Sequence, residues 1–169
     1  MKIALISDTH DLLRDEVFEA FAGVEWILHA GDVGDGDILH ELATVAPVAA
    51  VWGNTDGSEL RESLSEVSRQ ELAGFSVVLV HGHQFGSPTP ERVAGRYPDA
   101  DLVVFGHSHQ PIIETIGSVL TVNPGSAGPR RFRDPVTVAL VTLQPGERPE
   151  AHVVDLLKAT DRPTWRRAS

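Results

Sequence analysis

The 169-residue chain contains no cysteine. That absence excludes disulfides, thiolate metal sites and a cysteine nucleophile together. No apolar run approaches the roughly 18–20 residues that a bilayer-spanning helix needs, so no membrane span is expected. Positive charge is scarce: 14 Lys and Arg stand against 24 Asp and Glu, a formal net charge of −10. Such a surface repels polyanions, and long nucleic acid is not an expected partner. Three Trp, one Tyr and six Phe are too few for base stacking to be the main function. The apolar stretch at the start is only Ile3–Ile6, with one lysine before it and Asp8 close behind. No cleavable leader is expected, and the cytoplasm is the expected compartment.

What is present is a globular mixture, 41% hydrophobic and 22% charged, which sets a disordered chain aside. One domain is the default at this length, assigned to residues 1–157 with a C-terminal tail at 158–169. The tail carries Lys158, Arg162, Arg166 and Arg167 against Asp161. It reads as a solvated end, with docking through Trp165 as the alternative.

Short apolar runs bounded by polar or glycine turns predict strands at Lys2–Ser7, Trp26–His29 and Val48–Trp52. Helices are predicted between and after them, at Asp15–Phe21, with Val17, Phe18 and Phe21 on one face, and at Asp37–Ala43. This alternation predicts a parallel α/β start with right-handed crossovers. The second half predicts a hairpin, Arg69–Leu72 with Phe75–Val80, then a helix at Thr89–Arg96 opened by Pro90. A strand at Leu102–Phe105 follows, then the pairs Ile112–Ile116 with Val119–Asn123 and Thr137–Leu143 with His152–Leu157. The expected architecture is α/β: two mixed β-sheets packed face to face with helices outside.

Histidines and acids concentrate where these strands end. Of eight His, four (His10, His81, His107 and His109) lie at strand ends, as do Asp8, Asp32 and Asn54. Strand carboxyl ends are where α/β sheets build sites, because the loops converge there. Each residue alone has a structural alternative: Asp32 as a helix cap, His81 as a turn histidine, Asn54 as a turn former. Five clusters behaving alike argue for a shared purpose. The i, i+2 pairs Asp8/His10 and His107/His109, if extended, would point both side chains to one side. Imidazole and carboxylate without thiolate suit Mn, Zn, Fe, Co or Ni. Seven donors exceed one tetrahedral site and fit two ions about 3.5–4 Å apart. Two carboxylates offset only half the charge of two divalent ions, so the site becomes a local cation on an acidic protein.

The ordered motifs Asp8-x-His10, Gly31-Asp32, Gly53-Asn54, His81-Gly82-His83 and Gly106-His107-Ser108-His109 resemble those of calcineurin-like metallophosphoesterases. Chain length and Asn123-Pro124-Gly125-Ser126 resemble the small prokaryotic phosphodiesterase branch, to which the retromer scaffold subunit is related. The resemblance implies a four-layer α/β/β/α sandwich and hydrolysis of a phosphoester, a small phosphodiester being the expected substrate. It implies one metal on Asp8, His10, Asp32 and His109 and a second on Asp32, Asn54, His81 and His107. Asp32 is the bridge, and Asp32 and Asn54 act in catalysis through a hydroxide held between the ions for in-line attack. Manganese is the first expectation for both ions, with Ni, Fe, Co or Zn as alternatives.

The candidate substrate contacts are His83, two residues beyond a ligand, with orienting His81 or a structural role as the alternatives, and Ser126, in a loop that reads otherwise as a tight turn under the metal site. Arg130, Arg131 and Arg133 read as a solvated basic edge, with attraction of an anion as the alternative. A non-catalytic scaffold of the same fold and a nuclease are the competing functions, and a sheet edge or the Trp165 segment offers a route to a homo-oligomer.

Larger family members carry histidine after the Gly-Asn pair, where this chain has Thr55 followed by Asp56. A threonine hydroxyl is a poor acid for a departing alkoxide. Steady-state rates should therefore favour diesters and esters with activated leaving groups over simple alkyl phosphomonoesters; equal or faster turnover of an alkyl monoester would contradict this.

Overall fold

Lys2–Ile6 forms β1, and its alternation explains the layering. Ala4 and Ile6 face one side, Ile3 and Leu5 the other, and all four are fully buried. A strand apolar on both faces must lie inside a sheet covered on both sides. The computed structural model describes residues 1–158; residues 159–169, which include Trp165 and all of the basic tail but Lys158, lie outside the described residues.

After β1 come α1 (Asp15–Ala20), β2 (Trp26–His29), α2 (Asp37–Ala43), β3 (Val48–Ala50) and α3 (Ser58–Ser63). The hairpin β4 (Val67–Leu72) and β5 (Phe75–Val80) leads through a single 3₁₀ turn at His83–Phe85 to α4 (Pro90–Arg96). Then follow β6 (Leu102–Val104), β7 (Ile112–Ile116), β8 (Val119–Asn123), β9 (Thr137–Thr142) and β10 (Glu150–Asp155). The first sheet runs β10-β9-β1-β2-β3 and the second β4-β5-β6-β8-β7. In each, the three strands that precede site loops or the 123–126 turn are parallel, β1-β2-β3 and β5-β6-β8. The remaining strands are antiparallel, so both sheets are mixed, as expected.

Three apolar clusters separate four layers. Ala4, Ile6, Ile27 and Val138 pack against Val17 and Phe21 at α1, Ile38 and Leu42 of α2, and Leu60 of α3. Ile3, Leu5, Leu28 and Val141 meet Val77, Leu79, Val104 and Val122 between the sheets. Val78, Val80 and Val103 pack under Val93 and Ala94 of α4. The order is thus α/β/β/α.

Three local differences from the sequence reading have physical causes. Strand β3 ends at Ala50, and Val51 continues only as an isolated bridge to Ser65. Helix α3, Ser-Glu-Leu-Arg-Glu-Ser, buries one residue, Leu60, so it shows no apolar period. Strand β10 starts two residues earlier than expected because Glu150 and Ala151 pair with Thr142 and Val141 at a sheet edge, where polarity is tolerated. Among the described residues, no helix is long and apolar enough to cross a membrane.

Leu79 is completely buried between the sheets. Leu79→Ala should lower unfolding free energy by about 3 kcal/mol, measured by denaturant titration, the range expected for a cavity in a packed core.

Candidate metal centre

The seven sequence-predicted donors come from five loops at one edge of the sandwich. The backbone there is unusual. Asp8 (φ 54°), His10 (φ 44°), Asp32 (φ 52°), His107 (φ 70°) and His109 (φ 59°) all lie in the left-handed region. Non-glycine residues adopt it at a cost and cluster so only where surrounding structure holds them. The extended geometry expected of the two i, i+2 pairs is therefore corrected: left-handed kinks aim these side chains. His107 turns toward His81, with ring centroids 5.2 Å apart, whereas His109 turns toward His10, also at 5.2 Å. Backbone bonds across neighbouring loops hold the kinks, Asp8 N–H to Gly31 O at 3.0 Å and His10 N–H to Asp32 O at 3.1 Å.

Each carboxylate divides its oxygens between the chain and the site. Asp8 Oδ2 accepts from Ser7 Oγ at 2.6 Å and from His107 N–H at 3.1 Å. Its Oδ1 is buried without a hydrogen-bond partner and lies 3.2 Å from His109 Nε2 and 3.8 Å from His10 Nε2. Asp32 Oδ1 accepts from Thr55 N–H at 2.9 Å. Its Oδ2 is 3.3 Å from His81 Nε2 and 3.8 Å from His10 Nε2. Asn54 Oδ1 is 3.1 Å from His81 Nε2. Two groups result whose donor atoms lie within 4.8 Å of one another: Asp8, His10 and His109, and Asp8, Asp32 and His81.

This donor set fits a cation. His81 Nδ1–H donates to the Ala30 carbonyl at 2.7 Å, so the neutral ring turns a lone pair on Nε2 toward Asp32. His10 and His109 bring their Nε2 atoms within 3.2 Å. Lone pairs and carboxylate oxygens converging in a buried space need protons or metal ions between them. Without metal, protons do part of that task. Burial disfavours the His81 imidazolium, but the hydrogen bond and charge of Asp32, with Asp8, outweigh it and raise its pKa. Burial likewise opposes ionisation of Asp32, yet His81 and the Thr55 N–H hold its pKa well below the carboxylate range. His10 and His107 are lowered, chiefly by burial.

Several supporting residues brace the donor loops. Asp56, buried, accepts from Gly53 N–H at 2.7 Å and Gly34 N–H at 2.8 Å and so ties the Asn54 turn to the loop after Asp32. Its position two residues past Asn54 is the one clue the sequence offers. Gly106 has no room for a Cβ, which would strike the Ser7 hydroxyl, and one at Gly53 would strike Asp32. Asn123 donates to Gly106 O at 2.9 Å and Ser108 Oγ at 3.0 Å, bracing the His107–His109 turn.

The two expected substrate residues sit differently. His83 lies beside the centre, its ring 5.2 Å from Trp52, 5.4 Å from His81 and 6.4 Å from His107. Ser126 is buried; its hydroxyl donates to Asp8 O at 2.9 Å and accepts from Gly128 N–H at 3.3 Å. It holds the backbone that carries Asp8. His40 is exposed beside Asp37, and His152 is exposed on β10.

The edge-of-sandwich cluster of Asp and His defines a class. A family model described as the calcineurin-like phosphoesterase superfamily domain matches residues 1–146, and the chain belongs to that superfamily. Its relatives are small prokaryotic proteins. A probable metallophosphoesterase of Methanothermobacter thermautotrophicus is 38% identical over 164 residues, 91% of this chain and 92% of that protein. Phosphodiesterase YfcE of Escherichia coli is 31% identical over 165 residues, covering 83% and 87%. Among solved structures, a Vps29 single mutant from Entamoeba histolytica has a TM-score of 0.73 at 21% identity, covering 92% of this chain and 99% of that one. That likeness shows the shared fold.

His29 extends the support below the centre. Fully buried, it accepts from Gly31 N–H at Nδ1 (3.2 Å), and its Nε2–H donates to Thr9 Oγ1 (3.0 Å), which donates to Val33 O. Burial lowers its pKa from 6.5 to about 4. A lowered histidine pKa means that the unfolded chain takes up the proton first, so this stabilisation is complete above pH 6.5 and lost as pH falls toward 4. The stability difference between wild type and His29→Gln, followed by denaturant titration, should shrink by about 1.4 kcal/mol per pH unit across that window.

Proposed function

We propose that this chain is a metal-dependent phosphodiesterase built around two divalent cations. Asp8, His10, Asp32 and His109 would hold the first and Asp32, Asn54, His81 and His107 the second, with Asp32 shared. One observation carries the reading: Asp8 Oδ1 is buried with no hydrogen-bond partner while His109 Nε2 stands 3.2 Å away. Membership of the phosphoesterase superfamily and relatives named as phosphodiesterases support it.

When bound, such a pair supplies positive charge for phosphoryl oxygens and a water acidic enough to act as nucleophile near neutral pH. The protein's own groups do the positioning. Thr55 N–H holds Asp32 Oδ1, which leaves Oδ2 facing His10 and His81. Ala30 O fixes the His81 tautomer, and Ser7 with His107 N–H fixes the orientation of Asp8. His83, beside His81 and His107, is placed for the substrate side, whereas Ser126 acts through the Asp8 backbone. No histidine follows Asn54, so the leaving group departs without a strong side-chain acid.

Manganese is our first assignment, because the oxygen and imidazole donors suit it as well as Ni, Fe, Co or Zn. The substrate we assign is a small phosphodiester. Residues 1–157 form the one domain of this reading. A non-catalytic scaffold has no need of a complete donor set with a bare buried carboxylate oxygen, which favours the enzyme.

Bis-p-nitrophenyl phosphate should be hydrolysed with Mn²⁺ and not after chelation. Asp32→Asn weakens a ligand shared by two ions and should lower kcat/KM by more than about 100-fold, beyond the loss typical of residues that only support a ligand. Metal content should fall with it. Retention of both metal and rate by that variant would overturn the assignment of the bridge.

A further inference from the structure

Helix α3 buries only Leu60, and the next residue, Arg61, reaches back to the metal centre. Arg61 Nη2 donates to the Asn54 carbonyl at 2.7 Å, and its guanidinium lies 5.0 Å from the centroid of the Trp52 ring. The Trp52 ring stands 5.2 Å from that of His83, which in turn stands 5.4 Å from His81 and 6.4 Å from His107. Asn54 Oδ1 faces His81 Nε2 at 3.1 Å. Arg61, Asn54, His81, His83 and Trp52 thus form a closed circuit of neighbours at the half of the centre assigned to the second ion.

The guanidinium is held without being neutralised. A carbonyl bond and an aromatic face fix it in place, as suits a flat cation that stacks and donates at once. Among the described residues no ion pair engages it, although Glu59 and Glu62 share its helix. An arginine carries several N–H donors in one plane, and the bond to Asn54 O uses one edge only. Arg61 and Asn54 are both exposed. The carbonyl that Arg61 grips and the Oδ1 that faces His81 belong to the same asparagine, so the cation stands one residue's width from a metal donor. Thr55, next in the chain, brings no charge to this corner. Nor does the turn need a cation to close it: Asp56 already takes Gly53 N–H, and Asp32 takes Thr55 N–H.

We propose that Arg61 is a substrate-binding residue of this site and grips an anionic oxygen of the ester on the Asn54 side. Trp52 is the positioning residue that holds the guanidinium plane. The oxygen belongs either to the phosphoryl group or to a second acidic group on one of its substituents; both match the fork of an arginine. This rests on the phosphodiesterase reading and deepens it by naming the side chain that reads the charge of the substrate.

Calorimetric titration of the Mn²⁺-loaded protein with inorganic phosphate, glycerol 3-phosphate and 3-phosphoglycerate tests it, the last carrying a carboxylate that the second lacks. Arg61→Gln should weaken 3-phosphoglycerate by about 10-fold, the low end for a hydrogen bond to a charged group, with Mn²⁺ content and Tm unchanged. An equal loss for all three ligands places the guanidinium on the phosphoryl group, and a loss confined to 3-phosphoglycerate places it on the second acidic group. Trp52→Leu should weaken the same ligands by about 3- to 5-fold, the size of an exposed cation–π contact. Trp52→Phe, which keeps a ring, should bind them within about 1.5-fold of wild type. Unaltered binding of all three ligands in Arg61→Gln overturns the proposal. So does a loss that only follows a fall in Mn²⁺ content, because the residue would then merely brace the Asn54 turn. Equal losses in Trp52→Leu and Trp52→Phe overturn the part given to Trp52. Hydrolysis of bis-p-nitrophenyl phosphate, run in parallel, separates the two readings. Arg61-dependent binding without turnover sinks the phosphodiesterase and leaves Arg61 standing, whereas turnover with binding indifferent to Arg61→Gln sinks Arg61 alone.

Discussion

Asp8 and Asp32, buried side by side among imidazoles, set the terms for the whole sandwich edge. A buried carboxylate is strongly unfavourable unless both oxygens find partners. In each residue the chain satisfies one oxygen and leaves the other to the site. Ser7 and His107 N–H take Asp8 Oδ2, and Thr55 N–H takes Asp32 Oδ1. The two remaining oxygens face histidine nitrogens: His81 Nε2, whose ring is fixed through Nδ1 by the Ala30 carbonyl, and the Nε2 atoms of His10 and His109, which also meet each other. Half-satisfied acids of this kind are a binding site because the protein alone cannot complete them.

The fold supplies what such a cluster requires: rigid strands delivering loops to one edge, and enough buried apolar surface to offset local strain. Five donors sit at positive φ, a conformation that costs free energy at every non-glycine residue. They are held by bonds between loops rather than within them, so displacing one loop disturbs its neighbours. Asp56 spans Gly53 and Gly34, His29 spans Gly31 and Thr9, and Asn123 braces the Gly106–Ser108 turn. The missing side chains at Gly53 and Gly106 let carboxylates approach the backbone closely. Site and scaffold are therefore one network, with the apolar layers beneath it.

Most of the strands were legible because apolar runs of four to six residues ended in polar turns, as at Lys2–Ile6 and Phe75–Val80. The donors were legible because His and Asp recur at those ends. The direction of the donors was not: alternation along an extended segment is a reasonable default, and left-handed kinks at His10 and His109 leave no pattern in residue type. Helix α3 was hidden because it buries only Leu60. The hydroxyl of Ser126 looked like a substrate contact because its loop carries a motif, yet it bonds the Asp8 carbonyl. Long-range polar contacts of that sort depend on which loops meet, and a single sequence does not encode the meeting in any local signal.

Acidity and phosphate recognition are compatible here only because distance separates them. At physiological salt, charges more than about 8 Å apart across water are largely screened, so most of the surface acids contribute little at the site. Charges inside a partly buried pocket are screened far less. The centre needs cations to complete Asp8 and Asp32, and the backbone at Ser126 and Gly128 packs directly on the Asp8 and Thr9 carbonyls. Both the donors and that packing depend on the left-handed turn after β1. Its residues hold the carboxylate, the imidazole and the packed Ser126–Gly128 backbone together, which makes that turn the place where fold and site chemistry meet.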